Sequence, residues 1–144
     1  MGTSDKERSA AGETAPTKAW LMGAVGWLCP GVGHLLQGRR ARALLLGGTV
    51  WICFIAGLLM GGHLFIVKGD EQGSALLQLP PMIANLGSGL LYLFCWFMGV
   101  GFSDDLINAA RPTYEYGNTF LLAAGLLNYL SMLDAFDISA GRKS

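Results

Sequence analysis

His34 is the ionisable residue whose position is hardest to explain by accident. It lies in Pro30-Gly31-Val32-Gly33-His34, within a 20-residue window, 19–38, that carries no Asp, Glu, Lys or Arg. An ionisable group in such a stretch is either satisfied locally or put to use. As a hydrogen-bond donor, the imidazole would tie carbonyls freed by the Pro30-Gly31 interruption to a neighbouring helix. As a neutral ligand it would hold a haem or pigment, and as a titrating base it would relay protons. The other imidazole, His63, closes a different apolar segment. Nothing in the spacing sets the two at one depth, so the donor role is expected and no cofactor or metal is assigned.

A second group of chemically capable residues lies near the carboxyl end. Asn128, Ser131, Asp134 and Asp137 follow one another at three-residue spacing, which draws a broad polar stripe along a helix. An aspartate costs about 2.5–3.5 kcal/mol at the centre of a membrane helix and less near the interface. Asp134 and Asp137 are therefore expected at an interface, paired with Lys18, Arg142 or Lys143. The sharper alternative makes them part of a transport site with His34 and Asn85. Arg39, Arg40 and Arg42 form a tight basic turn suited to anionic lipid headgroups, or to pairing with Asp104, Asp105 and Glu115. Cys29, Cys53 and Cys95 form no CxxC pair and read as small apolar packing groups. No nucleophile elbow, phosphate loop or HExxH pattern occurs, so no enzyme activity is expected.

The elements that must position these residues follow from the charge distribution. Charged residues are 14% of the 144, against about 25% in ordinary soluble domains. Ten cations balance ten anions, which leaves no field for a nucleic acid. The charges cluster, leaving charge-free windows at 19–38, 43–67, 72–103 and 116–133. A helix needs about 20 mostly apolar residues to cross hydrocarbon. The expected fold is thus all-α, an integral membrane bundle of about four transmembrane helices. The segments are Ala19 to about Gln37, Ala43–Gly62, Met82–Phe102 and Asn118 to about Ile138, the first kinked or re-entrant at Pro30-Gly31.

Residues 1–17 read as a flexible polar tail, 18–141 as a single membrane domain, and 142–144 as a basic end following a glycine stop at Gly141. The connector 63–81 closes with Pro80-Pro81 at the start of the third segment, and its part Gly73–Leu79 reads as a short interfacial helix. If all four segments cross, Arg39, Arg40, Arg42 and Arg111 lie opposite Lys6, Arg8, Lys18, Lys68, Arg142 and Lys143. Four against six leaves sidedness undetermined.

The chain has 21 glycines, most of them inside the apolar windows. Helices in lipid associate through close approach of small residues. Gly57-x-x-x-Gly61, Ala84-x-x-x-Ser88, Gly87-Ser88-Gly89 and Ala123-Ala124-Gly125 supply such faces. They serve packing within the bundle, or docking of a partner. Trp51 and Trp96, near mid-segment, are expected to pack against other helices.

The stretch Lys18–Leu46 resembles the helix-hairpin core of the TM-two domain family. It has a lysine, an apolar helix, Pro30-Gly31-x-Gly33-His34, then Gly38-Arg39 and a second apolar helix from Ala43-Leu44-Leu45-Leu46, with Leu35-Leu36 where the family has an aromatic pair. The carboxyl end, from Tyr114-Glu115-Tyr116-Gly117 through Asn128 to Gly141-Arg142-Lys143, is similar to a small bacterial family of uncharacterised multi-pass membrane proteins. Both resemblances imply a protein of the bacterial cytoplasmic membrane, and neither implies an enzymatic activity. The expected role is an accessory or scaffold subunit, with the lipid bilayer and other membrane subunits or further copies of the chain as partners and no nucleic acid. The alternatives are a small oligomeric transporter or channel using His34, Asn85, Asn128 and Asp134, and a haem- or pigment-binding subunit using His34.

Overall fold

The computed structural model describes residues 17–66, 75–102 and 109–143. The expected tail before residue 17, the charged connector around Lys68-Gly69-Asp70-Glu71, and Asp104-Asp105 lie outside the described residues. All regular structure among the described residues is helical. Helix α1 covers 17–28, α2 Val32–Leu36, α3 Arg40–Leu59, α4 Ala75–Leu86, α5 Leu90–Met98 and α6 Tyr114–Ser139.

Among the described residues only α3 and α6 are individually long and apolar enough to cross a membrane, with 20 and 26 residues. At 1.5 Å per residue they span about 30 and 39 Å, against a hydrocarbon core of about 30 Å. The pair α4–α5 qualifies as a third only if it is counted as one segment, and it is bent by 113°. The expectation of four crossings therefore reduces to two helices, or three with the bent pair. Two features account for the difference.

The first segment breaks where Pro30-Gly31 predicts. Pro30 has no N–H to continue the ladder, and Gly31 takes φ 88°, where a side chain is strained. Gly31 also abuts α3, with a built Cβ falling 2.6 Å from the Ala43 carbonyl and 3.0 Å from Gly47 Cα. The facing turn of α3, Ala43–Gly47, is widened to a π-helix. The third segment, expected as one helix over Met82–Phe102, is also broken. Gly87-Ser88-Gly89 forms the break, and Gly89 takes φ 59° with its Cα against the Trp27 carbonyl. Pro80 and Pro81 do not start that segment. They sit inside α4, which begins at Ala75. The N–H groups they lack would have bonded the carbonyls of Leu76 and Leu77, in the exposed first turn of the helix, where solvent or headgroups can serve instead.

Helices α3 and α6 are antiparallel neighbours. Gly57 packs on Gly117 and Leu121, Gly62 on Gly117, and Arg42 reaches Asp134. The molecule thus has a basic end, with Arg39–Arg42 and Arg142-Lys143, and a far end, with His63 and Thr113. At the far end the His63 N–H donates to Asn118 Oδ1 at 2.7 Å and Thr113 Oγ1 to the Met60 carbonyl at 3.0 Å.

Helix α1 descends from the basic end along α6: Trp20 stacks edge-on with Phe136, Gly26 lies against Met132 and Ala135, and Trp27 reaches Asn128. After the break, α2 returns. Gly33 packs on Gly26 and Ala135, and Gln37 Nε2 donates to the Ala135 carbonyl at 2.7 Å and to Ser139 Oγ at 2.8 Å. Helix α5 leaves the second break towards the far end, where the Leu64 N–H donates to the Gly101 carbonyl at 2.7 Å. Because of the 113° bend, α4 doubles back at that break rather than continuing the line of α5.

One pattern is therefore used twice: helix, glycine break, helix, long helix. The first copy is α1–α2–α3, the second α4–α5–α6, and the two long helices run in opposite directions. Between α3, α5 and α6, on the far side of the junction, lies an apolar core of Val50, Phe54, Leu64, Leu91, Tyr92, Cys95, Leu121 and Ala124. Trp51 and Trp96, expected to pack inward, are 43% and 58% exposed and face outward. In lipid, that outward placement brings no desolvation penalty.

Candidate functional site

The two breaks meet on one side chain. Asn128 Nδ2 donates to the Trp27 carbonyl, in the last turn of α1, and to the Gly87 carbonyl, at the end of α4, each at 2.8 Å. Helix ends leave carbonyls without intrahelical donors, and one amide serves both. Asn128 lies eleven residues from Ser139, so the junction is about 16 Å from the basic end of α6, well inside the helix. Close packing holds the three helices there. Gly125 lies against the Ala84 carbonyl, Gly87 against Tyr129, and Tyr129 Oη donates to the Ile83 carbonyl at 3.0 Å.

Around that junction, and from it towards the basic end, sit His34, Asn85, Ser88, Asn128 and Ser131, none more than 3% exposed. Asn85 and Ser88 come from α4 and its break, Asn128 and Ser131 from α6, and His34 from α2. Both polar atoms of the Asn85 amide, Ser88 Oγ, Asn128 Oδ1 and both His34 ring nitrogens make no hydrogen bond to the protein. His34 Nε2 is 3.9 Å from Asp134 Oδ2, beyond hydrogen-bonding distance. The Trp27 carbonyl beside the Pro30-Gly31 break is taken by Asn128, while Gln37 ties α2 to α6 through the Ala135 carbonyl and Ser139.

Asp134 is the hub at the basic end. Its Oδ1 accepts from Lys143 Nζ at 2.9 Å, and its Oδ2 lies 3.8 Å from Arg42 Nη1. The Asp134 carboxylate holds the Lys143 ammonium above the usual lysine range. Asp137 lies 3.6 Å from Arg142. Pairing with Arg142 and Lys143 is thus realised. The expected partnership of Arg39, Arg40 and Arg42 with Glu115 is not, because Glu115 begins α6 at the far end; Asp104 and Asp105 lie outside the described residues. The doubling back of α1–α2 carries Arg42 to the carboxyl end of the chain.

The glycines named from spacing are distributed differently from a single face. Gly57, Gly87 and Gly125 sit at helix contacts where a Cβ would fall within 2.7 Å of a neighbour or closer. Gly61, with φ 85°, ends α3 rather than extending a packing face, and Gly89 forms the second break. His63 is at the far end, about 20 Å along α6 from the level of His34, so the two imidazoles cannot share a haem. No group of three or more metal-ligating side chains occurs among the described residues.

As polar site residues, Gln37, Ser88 and Asn118 are not singled out by the sequence, in which Ser88 reads only as a small packing residue and Gln37 and Asn118 as segment ends. Each is a single neutral polar residue next to a glycine, and such residues carry no spacing signal of their own.

A family model described as a family of unknown function (DUF6677) matches residues 21–144. No curated protein and no solved structure matches the chain.

Proposed function

Since the chain belongs to the DUF6677 family, whose function is unknown, its role must come from its own geometry, and we propose that it is a small membrane transport protein. It takes a small polar solute or ion from its basic end and holds it where the two broken helices meet. The observation that carries this is the set of buried polar atoms at the junction, on Asn85, Ser88 and Asn128, without partners in the protein. Leaving one such group unsatisfied costs about 1–3 kcal/mol. Several from different helices in one place mark an interior that a polar occupant completes. Discontinuous helices that end at mid-depth are a recurrent way of building such a site in lipid.

In this arrangement α3 and α6 cross the bilayer, and the pairs α1–α2 and α4–α5 enter it from opposite faces. The polar side chains run from the junction past Ser131 and His34 to Asp134 at the basic end. Phe54, Leu64, Leu91 and Leu121 close the way to the far end, and the junction's own polar residues are buried, so this conformation holds the site occluded. Six cations, Lys18, Arg39, Arg40, Arg42, Arg142 and Lys143, lie at the basic end, against Arg111 at the far end among the described residues. That imbalance supports a cytoplasmic basic end, in the bacterial inner membrane that the sequence resemblances imply. Gly57, Gly87, Gly89 and Gly125, among the glycines that suggested an accessory subunit, pack against the chain's own backbone and side chains.

The test is flux. The purified full chain in phosphatidylcholine vesicles should speed the entry of at least one of water, urea and ammonium over protein-free vesicles, as followed by light scattering or internal pH. Asp134→Asn and Asn128→Leu should each reduce it. Equal rates in loaded and empty vesicles for all three probes would overturn the proposal.

A further inference from the structure

We infer that the basic end carries a binding site for one anionic phospholipid, seated between α3 and α6 with its phosphodiester on Arg42, Arg142 and Lys143. A cavity of about 960 Å³ opens there, between the start of α3 and the last three turns of α6. Its rim is charged and its wall apolar. Arg42, Arg142 and Lys143 stand at the rim beside Asp134 and Asp137, while Leu45, Leu46, Leu127 and Leu130 form the trough beneath. That division matches an amphiphile with a charged head and an alkyl chain, and it sits where a membrane protein meets the headgroup layer.

The charges favour an anionic head. Three cations face two carboxylates, so the rim keeps one net positive charge. The carboxylates also do not saturate the cations. Arg42 and Arg142 are 3.8 and 3.6 Å from their partners, outside hydrogen-bonding distance, so their N–H groups remain to be donated. Lys143 gives one bond to Asp134 and has two further protons. All three side chains are about half exposed or more. A guanidinium with free N–H groups suits a phosphodiester because it can donate two parallel bonds.

The occupant is a lipid rather than free phosphate because the wall continues below the charges. Leu45 and Leu130 are 71% and 62% exposed along the trough, which places an acyl chain against them and gives a soluble anion nothing. With the basic end cytoplasmic, the site faces the leaflet whose anionic lipids attract basic segments. The inference stands on the rim and trough alone and does not need the transport proposal.

The experiment places the full chain in phosphatidylcholine bilayers containing either spin-labelled phosphatidylglycerol or spin-labelled phosphatidylcholine, and compares the motionally restricted fractions. Phosphatidylglycerol should be preferred about fivefold, the effect of about one basic residue at the membrane surface. Arg42→Gln with Arg142→Gln should abolish the preference, and Leu130→Trp should reduce it by filling the trough without touching a charge. Arg40→Gln, at the same end but outside the cavity, should leave it unchanged. Added inorganic phosphate should not displace the label. Equal restriction of the two labels in the unmodified chain would overturn the site, as would an Arg40→Gln effect as large as the double variant's. Displacement by phosphate would instead reveal a site for free anions.

Discussion

Gly125 of α6 sits directly under the Ala84 carbonyl of α4, so close that a Cβ at position 125 would overlap the carbonyl oxygen. The obstacle is backbone, which cannot rotate aside as a side chain can. Gly125→Ala gains up to about 1 kcal/mol of helix propensity but must move α4 away from α6. Overpacking of that kind costs about 1–3 kcal/mol, so a net loss is expected. Gly48 is the control. It is helical, and a Cβ there meets nothing within 4 Å. Gly48→Ala should leave the unfolding midpoint in detergent unchanged or raise it, while Gly125→Ala lowers it. The reverse order would contradict the packing of α4 on α6.

The Asn128 amide bridges two helix ends, and no other described side chain donates to either carbonyl. Asn128→Leu preserves volume but orphans the Trp27 and Gly87 carbonyls. At about 1–3 kcal/mol for each buried polar group left unsatisfied, the two carbonyls cost about 2–6 kcal/mol, offset in part because the substitution also removes the unpartnered Asn128 Oδ1. Ser131→Ala, one turn away, deletes a hydroxyl that bridges nothing across the junction, and should cost less. Denaturant or thermal unfolding in one detergent distinguishes them. Equal effects would mean that the bridge contributes nothing.

The doubled-back chain makes a topological prediction that four simple crossings would not. Gly38 and Gly141 both lie at the basic end, and Thr113 lies at the far end. In a variant cleared of Cys29, Cys53 and Cys95, cysteines placed singly at 38 and 141 should react with an impermeant maleimide from the same face of sealed vesicles. A cysteine at 113 should react from the other. With four crossings, 38 and 141 would label from opposite faces, and the two half-crossings would have to be abandoned.

The sequence made some of this architecture visible and concealed the rest for identifiable reasons. The break at Pro30-Gly31 was legible because a missing N–H and a glycine free to adopt positive φ are local facts. The break at Gly87-Ser88-Gly89 was not. Three small residues read equally as a packing face, and what forces the turn is the Trp27 carbonyl lying against Gly89, a contact some sixty residues away in the chain. Pro80-Pro81 looked like a helix start because proline is best tolerated there; the helix began five residues earlier, through a stretch whose orphaned carbonyls are exposed. Asp134 and the two carboxyl-terminal cations were legible as neighbours within a few residues. The approach of Arg42 was not, because it depends on the first segment turning back on itself. His34, Asn85 and Asn128 were legible as polar exceptions in apolar windows, but their common burial is tertiary.

The pair between Lys143 and Asp134 yields a pH prediction with a definite sign. Asp134 raises the lysine pKa in the folded chain, so the folded state holds that proton more tightly than the unfolded one. The resulting stabilisation is complete below the unfolded lysine value. It is lost as pH rises through the raised folded value, in the alkaline range. The pair is exposed, so the effect is modest and screened by salt. At neutral pH the unfolding midpoint of the unmodified chain should exceed that of Lys143→Gln by a constant amount. The gap should close as pH is raised beyond the lysine range, and sooner in high salt. In the background of Asp134→Asn, Lys143→Gln should have a much smaller effect, that left by the neighbouring Asp137 carboxylate. A gap that persists unchanged into strong alkali would mean that Lys143 acts through packing of its alkyl chain rather than through its charge.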